Sequence, residues 1–136
     1  MTLQPLLEVP WAVQAHVVTL IAAWLVGTWM LFVGRKGTSA HRRMGALFIA
    51  LMLITAAISL FIHYRMPNPL LFGFSTFHLF VPLVVCLSAI ALYGGLSGRR
   101  SLHRFGVMAL YFGSITFTGV VNVFLGTGVA HRVFFS

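Results

Sequence analysis

Residues 11–33, WAVQAHVVTLIAAWLVGTWMLFV, contain no Asp, Glu, Lys or Arg. At a helical rise of about 1.5 Å per residue, a run of this length covers the roughly 30 Å of a bilayer's hydrocarbon core. Pro10 stands just before the run, where a missing amide donor costs a helix little. Gly34 and Gly37 end it in a turn that carries Arg35 and Lys36. The reading is a helix that spans lipid, with His16 about one turn inside its outer boundary.

Three similar runs follow, and the spacing predicts helices over about 40–62, 76–96 and 102–124. Residues 64–75 hold Pro67, Asn68, Pro69 and Gly73, the composition of a short loop lying against the interface. Pro82 falls inside the third run, so that helix either starts later than its hydropathy suggests or bends about one turn inside the outer face. Gly94, Gly95 and Gly98 lead into a second basic turn, and Gly126, Thr127 and Gly128 release the last helix. The 136 residues therefore predict one all-α integral membrane domain, a four-transmembrane-helix up-and-down bundle.

Composition supports the same class. The chain is 60% hydrophobic and 7% charged, with Glu8 as its one acidic residue, whereas soluble domains carry about 25% charge. A formal net charge of +8 raises the question of nucleic acid, but the cations lie in short clusters between apolar runs. Seven of the nine form two groups: Arg35, Lys36, Arg42 and Arg43, then Arg99, Arg100 and Arg104. The positive-inside bias puts loops 34–40 and 97–102 in the cytoplasm and both termini outside, in the cell inner membrane, with only Arg65 and Arg132 against it. No basic cluster precedes the first run, so the first helix is expected to be retained and not cleaved as a signal peptide. Cys86 has no partner for a disulfide and reads as a small core residue.

Helices in lipid associate through close packing of small residues. Ala46 and Ala50, continued by Ala56 and Ser59, read as such a surface on the second helix, and Gly113 and Gly119 on the fourth. These faces could pack within one chain or between copies in a homo-oligomer.

The six histidines lie at the ends of the apolar runs. His16, His63, His78 and His131 fall at the outer side; His41 and His103 fall at the inner side. The interval from His16 to His41 is 25 residues, as is that from His78 to His103, and each second histidine is followed by arginine: His41-Arg42-Arg43-Met44-Gly45 and His103-Arg104-Phe105-Gly106. The spacing reads as a parallel internal repeat of two helices, related by an axis along the membrane normal, with little similarity at other positions. His16 and His78 match in the two halves and would sit on diagonal helices, where one haem b would take an axial imidazole from each. His41 and His103 form a second candidate pair, and Asn122, close to the outer end of the fourth helix, a candidate contact for the polar edge of a haem or quinone. Tyr111 raises the same alternatives, whereas Trp11, Trp29, Tyr64 and Tyr93 read as interfacial belt residues.

These features lead to a haem b-binding membrane electron carrier, possible partners being a quinone or a membrane redox protein. A copper or zinc site built from His16, His63, His78 and His131 is the second reading. A small transporter, channel or assembly partner without cofactor is the third. Each histidine also has a plain structural use, as a helix cap, an anchor at the headgroups or a hydrogen-bonding group in the bundle. Paired-carboxylate catalysis is excluded within the chain by its single acid, and neither a phosphate-binding glycine loop nor a His and Cys zinc pattern occurs.

The segments His41-Arg42-Arg43-Met44-Gly45 to Ser59-Leu60-Phe61, Phe77-His78-Leu79 to His103-Arg104, and Leu110-Tyr111-Phe112-Gly113 resemble the bacterial DUF2306 family of small predicted integral membrane proteins. The ending Gly128-Val129-Ala130-His131-Arg132-Val133-Phe134-Phe135 is similar as well, so the resemblance covers about Lys36 to Phe135. It implies several transmembrane helices and family histidines at His41, His78 and His103, and it carries no function. This chain departs from many such proteins in its short loops and single acid.

Overall fold

The computed structural model describes residues 9–62, 76–117, 119, 120 and 124. Four helical segments form an all-α bundle: α1 over Trp11–Phe32, α2 over Ser39–Ser59, α3 over Phe80–Leu96 and α4 over Arg100–Met108. A 3₁₀ turn, Thr76–Leu79, leads into α3, and α4 runs directly into a π-helical segment, Ala109–Phe117. The described helical segments fall on the four apolar runs, with α2 ending at Ser59, short of Ile62, and the fourth run α-helical only to Met108. The main contacts run from α1 to α2, from α2 to α3 and from α3 to α4, and the π segment closes the ring against α1. Helices α1 and α3 therefore stand diagonally, as do α2 and α4.

Local sequence explains the boundaries. Thr38 caps α2, its Oγ1 accepting the His41 amide at 3.1 Å, which satisfies one of the helix's first unpaired donors. Gly37 and Gly98 provide the left-handed backbone of the two basic turns, at φ 82° and 70°. Pro82 is the third residue of α3, in its first turn, where no intrahelical amide bond is lost. Of the two expectations for this proline, the later start is the one realised.

α1 and α2 are long and apolar enough to cross a membrane, while α3, at 17 residues, is shorter. Only 17% and 28% of the apolar windows of α1 and α2 are buried within the bundle. Trp11, Val18, Leu25 and Phe32, at heptad spacing, are each more than half exposed. An apolar stripe of that length would associate or aggregate in water and is at home against lipid tails. The centre is built from Phe48, Met52, Leu87, Ala91, Leu110, Tyr111 and Ile115, with Thr55, Ser88 and Ser114 buried among them. Membrane association follows from this apolar outside and partly polar inside.

Several packing expectations require correction. Ala46 and Ala50 lie on the outside of the bundle; of that stripe only Ala56 is buried, with Ser59 half-buried. A Cβ on Gly113 or Gly119 would meet nothing within 4 Å. The close approaches belong instead to Gly27, Gly94 and Gly106. A Cβ on Gly106 would come within 2.7 Å of the Ala91 backbone, and one on Gly94 would collide with the backbone of His103. Gly94 is therefore a packing residue inside α3, ahead of the turn it leads into. Cys86 is exposed on α3, so it is not a core residue; a small, weakly polar side chain is as compatible with a lipid-facing surface as with a core. The fourth helix also departs from a continuous α-helix, because nine of its residues take the wider π winding.

Candidate functional site at the basic end

The turns 33–38 and 97–99 lie at the same end of the bundle, as two parallel helical hairpins require. There α2 and α4 each begin with a histidine in the first turn. Across the diagonal the His41 and His103 rings have centroids 6.2 Å apart and planes at 78°. The repeat that relates these residues in sequence thus becomes a meeting of two imidazoles at this end of the bundle.

The two rings are held differently. His103 Nδ1 lies 2.9 Å from the carbonyl oxygen of Ala91. A carbonyl only accepts, so Nδ1 carries the proton and Nε2 keeps its lone pair. His41 Nδ1 is buried and has no hydrogen-bond partner. The asymmetry follows from sequence differences between the halves. The repeat carries Ala91, Gly94 and Gly106 of the second hairpin onto Trp29, Phe32 and Met44 of the first. With small residues at all three places, α3 and α4 approach until a backbone carbonyl reaches His103. The first hairpin carries larger side chains at these places, and Trp29 and Phe32 are exposed.

A groove of about 460 Å³ opens where the packing is looser, between the end of α1 and the α4–π strand of helix. Met30, Leu31, Phe32, Val107, Met108 and Phe112 form its apolar walls, while His41, His103, Lys36 and Arg104 supply its polar groups. Lys36 Nζ donates to the Leu31 carbonyl at 2.9 Å, which holds its ammonium against the C-terminal end of α1. Sequence reasoning missed Lys36 and Arg104 as site residues. The available signal was their proximity to the histidines, Arg104 being adjacent to His103.

His16 has a different environment. Its Nδ1 lies 3.1 Å from the Thr55 carbonyl, and Thr55 Oγ1 donates to Thr19 Oγ1 at 2.8 Å. Thr19 Oγ1 in turn donates to the Ala15 and His16 carbonyls. This network joins α1 to α2, and it leaves His16 Nε2 as an acceptor. His78 is half-buried in the 3₁₀ turn before α3. The only histidine rings in mutual contact among the described residues are those of the inner pair. No group of three or more His, Cys, Asp or Glu side chains suited to a metal occurs among the described residues. His63, His131 and Asn122 lie outside the described residues, and with them half of the expected outer cluster. Tyr111 is buried, its hydroxyl 2.6 Å from Thr28 Oγ1, so it ties the π segment to α1.

Compared with protein-family models, curated proteins and solved structures, the chain matches none.

Proposed function

We propose that this chain is a four-span membrane protein of the DUF2306 type that binds haem b and carries electrons, with His41 and His103 as the axial pair. The carrying observation is the 6.2 Å separation of their ring centroids on diagonal helices. Two imidazoles this close would hold a haem iron between them, one from each of two facing helices. The Ala91 carbonyl supports the same reading, because ligating histidines generally donate their second ring nitrogen to a carbonyl or carboxylate. The unpartnered buried Nδ1 of His41 marks a ring whose polar groups the protein leaves incomplete. A haem would supply one-electron redox chemistry here; the residues would hold it, exclude water with Met30, Val107 and Met108, and set its potential.

Against the initial preference for His16 with His78, this reading moves the cofactor to the inner end. His16 then serves the α1–α2 interface through Thr55. Both basic turns face the cytoplasm in this reading, so the inner pair would sit at the cytoplasmic boundary, where a quinone or a redox protein could exchange electrons with it.

Absorption spectra of the full chain, purified after expression with ample haem supply, test the proposal. The expected result is a Soret band with the narrow visible bands of a six-coordinate bis-imidazole haem, lost in His41→Ala and His103→Ala and kept in His16→Ala. Wild-type protein without a Soret band and without iron would overturn it.

A further inference from the structure

We infer that Lys36 and Arg104 form the anchoring pair for the two propionate carboxylates of a haem bound against His41 and His103. The inference rests on the haem reading and adds to it the groups that orient and retain the ligand.

All seven cations of the two basic turns are on the bundle surface, and no acidic side chain occurs among the described residues to neutralise them. Only Lys36 and Arg104 line the groove. They belong to different elements, the α1–α2 turn and the first half of α4, so together they bracket a ligand from two directions. Arg99, by contrast, lies 5.5 Å from the centre of the Tyr93 ring and is turned to a different use.

The groove's composition points to an amphiphile that joins an apolar body to anionic groups, as the carboxylate-bearing haem does. Its walls are aliphatic, thioether and aromatic side chains, and its only charged groups are the two cations. A simple anion would leave the walls unused, and a neutral apolar ligand would leave both cations unpaired. Lys36 Nζ spends one of its three protons on the Leu31 carbonyl and retains two for a carboxylate. Arg104 lines the same groove as His103, so its guanidinium would reach a carboxylate of a ring ligated by that histidine. It could grip the carboxylate with two parallel hydrogen bonds.

The test compares haem b with haem b dimethyl ester, which lacks both carboxylates. The readout is transfer of each from the full-length protein in detergent to excess apomyoglobin. In Lys36→Gln and Arg104→Gln, haem b should leave about tenfold faster or more, the usual effect of losing a charge-assisted hydrogen bond. Lys36→Arg and Arg104→Lys should restore most of the retention. Arg43→Gln removes the same charge from the same end, outside the groove, and should change the rate little. The ester should leave wild type, Lys36→Gln and Arg104→Gln at one fast rate. Equal retention of haem b by wild type and both glutamine variants, or retention of the ester as tightly as haem b, would overturn the inference while leaving the axial pair intact. A wild-type protein that takes up no haem would overturn both.

Discussion

Gly106 and Gly113 lie seven residues apart on one continuous helix, yet substitution should affect them oppositely. Gly106→Ala would push a methyl to within 2.7 Å of the Ala91 nitrogen and 2.9 Å of its Cα. Backbone cannot yield as a flexible side chain can, so the cost should be about 1–3 kcal/mol, measured by equilibrium unfolding in mixed micelles. Gly113→Ala meets open space and should leave stability unchanged or raise it by up to about 1 kcal/mol, since alanine favours helix. A loss at Gly113 equal to that at Gly106 would contradict the packing described. Tyr111→Phe offers a second residue-scale check. It removes the hydroxyl that meets Thr28, but Thr28 keeps its bond to the Trp24 carbonyl. Hydrogen bonds between membrane helices are worth about 0.6 kcal/mol on average, so the loss should stay below about 2 kcal/mol.

Among the elements, the α4–π strand is the one whose winding hydropathy could not foresee. Periodicity distinguishes apolar from polar faces, and a helix apolar on every side carries too little contrast to register a change from α to π. The π segment has identifiable consequences: Thr116 Oγ1 reaches back five residues to the Tyr111 carbonyl at 3.0 Å, and Ser114 Oγ is buried without a partner. π segments are less favourable than α and concentrate at functional positions. Amides in 109–117 should therefore exchange with deuterium sooner than those in the middle of α2, measured in the same detergent preparation. Equal protection would show the π winding to be as well held as its neighbours. The α3–α4 hairpin, in contrast, was partly legible, because its glycines are visible in the sequence. Hydropathy placed Gly94 in the last turn of the third helix, and only the crossing of two helices reveals that it faces a backbone.

For the whole molecule, topology is the prediction that matters most. The two basic turns share one end, and the positive-inside bias assigns that end to the cytoplasm. In a Cys86→Ala background, a thiol introduced by Ser97→Cys should resist a membrane-impermeant maleimide in intact cells and react once the inner membrane is opened. Labelling in intact cells would invert the orientation. Hydropathy and charge alone determined the membrane setting, the helical segments and the shared end of the basic turns, because these depend on composition and on 1.5 Å per residue. They also made His41 and His103 equivalent members of a repeat. Which histidines meet was decided by tertiary structure. Small residues at Ala91, Gly94 and Gly106 let α3 and α4 approach closely. His103 is tied to the Ala91 carbonyl, His41 Nδ1 is left without a partner and a groove opens beside Lys36 and Arg104, whereas His16 bonds to Thr55 through Nδ1.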